Sequence, residues 1–494
     1  MKNISRRSFL KTGAVAAAGL TIVPGSVLGK SFGYTAPSDK LNIAGIGVGG
    51  MGRRNLANMN TENIVALCDV DWHYADKTFK DYPKAKRFKD WRVMFDEMGK
   101  SIDAIMVATP DHTHAGVTAH AITLGKHCYT QKPLTHSVYE SRLLTKLAKK
   151  YKVATQMGNQ GNSFDWCRQI AEWIQSGVIG DVYEVHCWTD RPIWPQGLMK
   201  PNDTPKCPKT LDWDLWIGPA QKRPYNPVYT PWNWRGWWDF GTGALGDMAC
   251  HIMDPLYWAL DLKSPTSVIG SSTLSNLYSP PHAQIVTYTF PARPPKGNVK
   301  MPEVKVYWYD GGLMPPRPEE LKDGQMMGDE NGGIIFIGTK GKIMTGCYGM
   351  NPTLLPVSDM EHFNQPKPTI PRVKGGNGDI WSTNAHEQDW IRACKESPEN
   401  RTEASSNFQF SGPFNEMVVM GVLAVRLSGL QGLHRELQWD GKNMRFTNIS
   451  PNDKIKIVTV DDFKVIDGDP RFDRRFAEFN AAEMANEWIK HTYN

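Results

Sequence analysis

The sequence lacks several patterns that mark well-known protein classes. Its eight cysteines include no Cys-x-x-Cys pair, so neither a zinc site nor a dithiol redox centre is indicated. There is no internal repeat, no low-complexity tract and no run of basic residues. The formal net charge is +6, but the first 30 residues carry five basic residues and no acid, which leaves +1 for the rest of the chain. Such a chain is a poor partner for nucleic acid.

No apolar run is long enough to cross a bilayer. The segment 12–28 is diluted by Gly, Thr and Pro24 and does not reach the roughly 20 apolar residues of a spanning helix. It follows Ser5-Arg-Arg-Ser-Phe-Leu-Lys11, the pattern of a twin-arginine export signal. We therefore expect residues 1–36 to be a signal peptide, and the mature protein to lie in the periplasm without stable membrane insertion. Because this route carries folded proteins, a nucleotide cofactor would be loaded before export.

The strongest positive signal is a glycine-rich stretch near the start of the mature chain. Leu41 to Gly52 reads LNIAGIGVGGMG, in which an apolar run precedes Gly47, Gly49 and Gly52 at G-x-G-x-x-G spacing. These glycines permit a tight turn, close approach of the backbone to a pyrophosphate, and packing of a helix on a strand. Asp69 ends the next apolar run, 22 residues after Gly47, where a carboxylate meets the ribose hydroxyls.

The loop therefore predicts a dinucleotide site that also includes Gly50 and Met51, although a glycine-rich turn without a ligand has the same pattern. Asp69 favours NAD, because its carboxylate would repel the 2′-phosphate of NADP. Arg53 and Arg54 keep NADP open as the second possibility.

Strands and helices alternate between residues 39 and 160, which predicts an α/β fold with an N-terminal Rossmann domain on a doubly wound parallel sheet. Over 161–440 the pattern predicts an α+β domain with a large, mostly antiparallel open sheet, and 441–494 is left as a C-terminal extension. The Pro- and Gly-rich stretches 291–301, 313–331 and 348–377 are insertions suited to site rims or subunit contacts. A helical pair is expected at about 384–395 and 413–430.

Two groups are candidates for catalysis. Lys132 follows the predicted fifth strand, at the sheet edge where ligands bind, and could stabilise an alkoxide as hydride leaves carbon. Asp247 and His251 are four residues apart on one helix face, where the imidazole could take a hydroxyl proton and the carboxylate could orient it or contact substrate. Lys132 could instead be a solvated lysine, and the Asp–His pair could be structural or bind a metal, but no third ligand is evident.

Tryptophans cluster between Trp213 and Trp238, and an indole can stack on the apolar face of a sugar ring as well as fill a core. We expect this cluster to contact substrate through Trp234 and Trp238. Three charged residues nearby could bind sugar hydroxyls or form loop salt bridges: Arg235, Asp190 and Arg191.

Four motifs in this order, G-x-G-x-x-G, Ala108-Thr-Pro-Asp-His-Thr-His114, Gln131-Lys-Pro133 and Asp247-x-x-x-His251, resemble the Gfo/Idh/MocA oxidoreductase family over residues 40 to about 440. The resemblance implies bound NAD or NADP, a sugar or cyclitol substrate, and oligomers formed through the open sheet. It assigns the catalytic roles to Lys132, Asp247 and His251. The cofactor residues that follow from the motifs are Gly47, Gly49, Gly50, Met51, Gly52, Asp69, Thr109, Pro110, His114, Gln131 and Lys132. Gln131 stands where the family commonly has Glu, so the environment of Lys132 differs.

The resemblance further implies that exported members keep their nucleotide bound. The expected function is an NAD-dependent oxidation of a ring hydroxyl, at carbon 3, of a sugar or glycoside by a homo-oligomer, either dimer or tetramer. A first alternative is an NAD-dependent glycosidase, in which a transient ketone at carbon 3 acidifies the proton on carbon 2 and allows the anomeric group to leave. A second is a sugar-binding protein without catalysis.

Overall fold

The computed structural model describes residues 39–430 and 435–490; the predicted signal peptide lies outside this range. The first domain contains a six-stranded parallel sheet with strand order β3-β2-β1-β4-β5-β6. Its strands are β1 (Asn42–Ile46), β2 (Asn63–Cys68), β3 (Lys86–Phe88), β4 (Ala104–Val107), β5 (His127–Thr130) and β6 (Thr155–Met157). Its helices are α1 (Gly50–Asn58), α2 (Asp76–Asp81), α3 (Trp91–Met98), α4 (Asp111–Thr123) and α5 (Val138–Tyr151). The Rossmann prediction is confirmed.

Local sequence explains how these elements begin and what they bury. All four residues of β4 are buried, as expected for a central parallel strand covered on both faces. Helix α5 begins at a capping box, in which Ser137 and Glu140 satisfy each other's free amides. The sheet edge formed by the carboxyl ends of β1, β4 and β5 therefore carries the glycine loop, the start of α4 and Lys132.

The second domain is built on a nine-stranded sheet with order β15-β14-β13-β7-β12-β9-β8-β16-β17. Only β7 and β12 run parallel, and every other neighbouring pair in this sheet is antiparallel, so the predicted mostly antiparallel sheet is confirmed. The strands are β7 (Val182–Thr189), β8 (Ser267–Ser272), β9 (Gln284–Phe290), β12 (Val304–Asp310), β13 (Gly332–Gly338), β14 (Lys342–Gly346), β15 (Thr353–Leu355), β16 (Leu437–Asp440) and β17 (Arg445–Phe446). A small hairpin, β10 (Arg293–Lys296) and β11 (Val299–Met301), lies in the first predicted insertion. The sheet continues past residue 440 through β17.

The helices that follow the first domain in the chain, up to residue 430, are α6 (Asp165–Ser176), α7 (Trp213–Ile217), α8 (Gly243–Ile252), α9 (Asp254–Ala259), α10 (Ala385–Cys394) and α11 (Phe408–Arg426). Of these, α8 and α11 pack directly on the nine-stranded sheet. Every residue of α8 is buried. Helix α11 packs so closely on the sheet that a Cβ added at Gly421 would lie 1.8 Å from the Tyr288 hydroxyl. The prediction that this helix starts near Pro413 was wrong: it starts at Phe408, because Asn407 caps it by accepting a hydrogen bond from the Gln409 amide.

Helix α10 belongs to the nucleotide domain in space, although it comes late in the chain. Trp390 and Ile391 join the core cluster that contains Ile43 and Leu56. The Asn55 side-chain amide donates to Glu387 (2.8 Å). Just beyond α10, the Ser406 carbonyl accepts from the Met157 amide of β6 (2.9 Å). A late segment thus closes one side of the first domain.

The described chain ends in a long hairpin and a helix: β18 (Lys454–Ile466), β19 (Asp469–Asn480) and α12 (Ala481–Lys490). From the sequence this region was expected only as a C-terminal extension over 441–494, and its hairpin and helix were not predicted. No helix within the described ranges is both long and apolar enough to cross a bilayer.

Candidate active site

One cleft of about 460 Å³ joins the two domains at the carboxyl edge of the parallel sheet. The glycine loop lines one end, and Lys132, Asp247 and His251 line it together with aromatic side chains. A volume of this order suits a small organic ligand. Residues predicted from separate parts of the sequence therefore share one cavity.

The glycine loop has the shape that a dinucleotide requires. Gly47 has φ of +74° and its amide donates to the Cys68 carbonyl (2.9 Å), which holds the turn against β2. A Cβ at Gly52 would lie 1.9 Å from the Gly47 carbonyl oxygen, so only glycine allows α1 to start so close to the turn. The residues present therefore fit a pyrophosphate placed against the N-terminus of α1.

The Asp69 carboxylate stabilises the glycine loop. One carboxylate oxygen accepts from the amides of Val48 (2.8 Å) and Gly49 (3.2 Å), and the other accepts from the Asp71 amide (2.9 Å). Burial raises the pKa of Asp69 to about 6, against the opposing effect of these hydrogen bonds. The side chain also lines the cleft, in position to serve both the loop and a ribose.

Lys132 and Arg235 both form hydrogen-bonded ion pairs with Asp247. The Lys132 Nζ donates to Asp247 Oδ1 and to its main-chain carbonyl, both at 2.8 Å, and the Arg235 Nε donates to the same Oδ1 at 3.0 Å. Burial alone would raise the pKa of Asp247, but the two cations outweigh it and hold that pKa well below its ordinary value. Asp247 is therefore an anion that fixes two cations beside the cleft.

His251 lies one helical turn beyond Asp247 on α8. Burial, together with the nearby Lys132 ammonium, holds the pKa of His251 well below its ordinary value, so the imidazole is neutral. Its Nδ1 is buried and has no hydrogen-bond partner among the described residues. The ring packs against Tyr348, with centroids 4.6 Å apart.

The other predicted cofactor residues divide into two groups. Thr109, Pro110 and Gln131 line the cleft with Gly49, Gly50 and Met51. His114 does not line it: its ring nitrogens contact the carbonyls of Pro133 (2.8 Å) and Thr109 (2.7 Å). His114 therefore ties the loop after β4 to the loop that carries Lys132.

Some of the predicted substrate residues line the cleft and others do not. Arg235 lies between the rings of Trp232 and Trp234, 4.2 Å from each centroid, and all three line the cleft with Arg191. Asp190 pairs with Arg191 and is not itself part of the cleft wall. The structure does not bring Trp238 to the cleft: it is 2% exposed, and its indole donates to the Asn276 carbonyl (3.3 Å). The Gly-rich sequence around Trp232–Trp238 does not indicate which indoles are buried in the core and which line the cleft.

Sequence reasoning missed several aromatic residues of the cleft. Tyr348, from the insertion 348–377, has φ of +63°, a left-handed conformation that is uncommon for a side chain of this size. Trp381 contacts Tyr348 edge-on at 5.7 Å. Tyr74 covers Gly49, where an added Cβ would meet the Tyr74 ring at 2.2 Å. The only available signal for Tyr348 was its position between Cys347 and Gly349 in a Gly-rich insertion.

The fold and the cleft define a two-domain protein with a dinucleotide-binding loop. Residues 41–159 match the family model described as the NAD-binding Rossmann fold of the oxidoreductase family GFO_IDH_MocA, and residues 168–275 match its C-terminal alpha/beta domain. The chain therefore carries both the NAD-binding and the C-terminal domain of the Gfo/Idh/MocA oxidoreductase family, which confirms the resemblance. Residues 3–22 match the signal sequence of the twin-arginine translocation pathway, as predicted.

Similar proteins include the rhizopine catabolism protein MocA of Rhizobium meliloti, 29% identical over 93 residues, which is 18% of this chain and 29% of that protein. An alpha-N-acetylgalactosaminidase of Shewanella oneidensis is 24% identical over 210 residues, 37% of this chain and 45% of that protein. The alignments thus span less than half of these relatives. The WlbA dehydrogenase of Bordetella pertussis, crystallised with NADH and UDP-GlcNAcA, is similar in fold, with a TM-score of 0.52 and 15% identity over 81% of this chain and 99% of that one.

Proposed function

We propose that this protein is a periplasmic, NAD-dependent oxidoreductase that oxidises a ring hydroxyl, at carbon 3, of a sugar or glycoside and keeps its cofactor bound. The observation that carries the proposal is the convergence of Lys132, Asp247 and His251 beside the glycine loop, since these residues come from two domains. A twin-arginine signal supports export of a folded, loaded protein. Asp69 at the loop favours NAD over NADP.

NAD, when bound in this loop, supplies the hydride acceptor. The chain's own residues supply the proton transfer and the charge stabilisation. A neutral His251 can accept the proton of the substrate hydroxyl, because its low pKa keeps it unprotonated at neutral pH. The Lys132 ammonium, held 2.8 Å from Asp247, can donate to the substrate oxygen as negative charge develops there.

The aromatic wall suits a carbohydrate. Trp232 and Trp234 present flat faces at the cleft, and Arg235 between them can donate hydrogen bonds to ring hydroxyls. Trp232 is 47% exposed, so part of its surface is open to a ligand. The names of the similar proteins, an acetylgalactosaminidase and a dehydrogenase crystallised with a nucleotide sugar, point to the same substrate class.

A second candidate is an NAD-dependent glycosidase, favoured by the similarity to the Shewanella oneidensis enzyme. Oxidation at carbon 3 acidifies the proton on carbon 2, and loss of that proton expels the anomeric group. Water then adds to the resulting double bond, and return of the hydride restores the alcohol, so no NAD is consumed. The His251 ring lies beside Tyr348 in the cleft wall, and His251 is the group to which we assign these proton transfers.

The test is an absorbance spectrum of the purified exported protein, recorded before and after a panel of glycosides, with no added nucleotide. A reduced-nicotinamide band that grows with one sugar, and is lost in Lys132→Ala and His251→Ala, supports the oxidoreductase. Release of the aglycone without a lasting band favours the glycosidase. A protein that is purified without nucleotide and shows no absorbance change with any glycoside, even after NAD is added, would overturn both enzymatic proposals and favour a sugar-binding protein.

A further inference from the structure

The hairpin of β18 and β19 projects from the second domain as an arm, which we define as residues 459–476. Its base is anchored, because Ile455, Ile457 and Val458 are buried and Ile455 forms a bridge with Leu430. Beyond the base, none of the residues 459–476 is buried. The turn is an Asp467-Gly468 pair with positive φ at both positions, which suits a tight hairpin. From Val460 to the turn the arm extends about 20 Å.

One face of the arm is apolar although it is open to solvent in the described chain. Side chains alternate along each strand, so Phe463 and Val465 of β18 share a face with Phe472 and Phe476 of β19. Their exposed fractions are 57%, 61%, 76% and 54%. The rings of Phe463 and Phe472 touch across the strands, with centroids 4.9 Å apart.

The opposite face of the arm is charged. It carries six charged residues of both signs: Asp462, Lys464, Asp469, Arg471, Asp473 and Arg475. Several of them form pairs on the arm itself, among them Lys464 with Asp462 (2.7 Å). The arm is therefore amphipathic, and an isolated two-stranded ribbon of this kind is only marginally stable in water.

We propose that the apolar face of the arm is an interface between two copies of this chain. The face carries one acid and one base, Asp461 and Arg474, which pair across the strands at 2.9 Å. A second arm related by a two-fold axis can place its Asp461 against the first copy's Arg474, so the face is complementary to itself. The whole arm has five acidic and four basic residues, which disfavours nucleic acid or an anionic membrane as the occupant.

The area of the face agrees with this occupant. At roughly 200 Å² for each phenylalanine, the three rings alone expose about 400 Å² on each arm. Two arms together would bury about twice that area, before the valine and the flanking polar side chains are added. With these side chains included, the total approaches the lower limit of the range found for specific interfaces, about 1,200 Å².

The experiment measures the mass of the exported protein in solution by sedimentation, for the wild type and for the double variant Phe463→Ser/Phe472→Ser. We expect a dimer or a larger even-numbered assembly whose dissociation constant rises at least about 100-fold in the double variant. The control is Ile466→Ser, which removes a side chain of similar exposure, 51%, from the opposite face and leaves the mass unchanged.

A second measurement keeps the test independent of folding. In a Cys207→Ser background, which removes the one cysteine that is not buried, a spin label at Lys464→Cys on the charged face reports a short distance between two copies when the arms meet, and that short distance is lost in the double variant. A wild type that sediments as a monomer overturns the proposal. So does an assembly of unchanged mass in the double variant, which would place the interface on another surface such as the nine-stranded sheet.

Discussion

Replacing Lys132 by methionine separates its role in chemistry from its role in structure. The Nζ lies 2.8 Å from Asp247 Oδ1, and both side chains are 12% exposed. Breaking a buried pair costs about 3–5 kcal/mol when the remaining charge has no partner. Asp247 keeps Arg235 at 3.0 Å, so we expect a smaller loss of unfolding free energy, about 1–3 kcal/mol. The protein should fold and retain its nucleotide.

Lys132→Met should affect the rate of hydride transfer more strongly than the stability of the protein. Loss of one donor that stabilises a developing oxyanion costs about 10²–10³-fold in rate. The assay is the rate at which the reduced-nicotinamide band appears after rapid mixing with the sugar. Nucleotide content and thermal unfolding are measured on the same sample. Lys146→Met, an exposed lysine on α5, is the control and should leave all three unchanged. A loss in Lys132→Met of less than about tenfold would refute the assigned role.

Further predictions concern the base and the cofactor loop. Because burial and Lys132 hold the pKa of His251 below its ordinary value, the imidazole stays unprotonated as pH falls from about 8 to about 6.5, so kcat/KM should be flat over that range, which lies above the Asp69 pKa of about 6. A decline centred on the ordinary histidine pKa would contradict this. Gly52→Ala should abolish nucleotide retention, because the added Cβ would lie 1.9 Å from the Gly47 carbonyl oxygen. The control Gly116→Ala adds a Cβ with nothing within 4 Å, so it should leave nucleotide retention unchanged and the protein as stable as before or slightly more so. The amount of nucleotide released on denaturation measures retention in both variants. Asp69→Ser should weaken NAD binding by about 10- to 100-fold while NADP binding improves or is unchanged, as measured by calorimetry on stripped protein. Equal losses for both nucleotides would show that Asp69 only supports the loop.

The glycine loop, the parallel sheet and the Asp247–His251 pair could be predicted because each depends on local spacing, whereas the grouping of Lys132 with that pair followed only from the family resemblance. G-x-G-x-x-G fixes a turn, alternating apolar runs fix strands, and Asp247 and His251 share a face at four residues apart whatever surrounds the helix. Arg235 could be placed near the site only because it lies within the tryptophan cluster.

The rest depends on contacts distant in sequence. Trp238 and Trp234 are four residues apart in similar sequence, yet one is packed beside Arg426 and the other beside Arg235, which only the tertiary fold decides. Tyr348 enters the cleft because a left-handed backbone turns it there, and no periodicity signals that conformation. The arm was missed because strands whose apolar face is exposed do not contribute to a recognisable core.

The late segment that closes the nucleotide domain sets the order of events during synthesis. Trp390 packs into the same core as Ile43, and Ser406 pairs with Met157 at the sheet edge, so the domain stays open on one side until about 400 residues have been made. A ribosome-bound chain that has exposed only its glycine loop has no finished site. Under the proposed loading before export, nucleotide capture becomes a property of the nearly complete chain, and a truncated product would reach the export machinery empty.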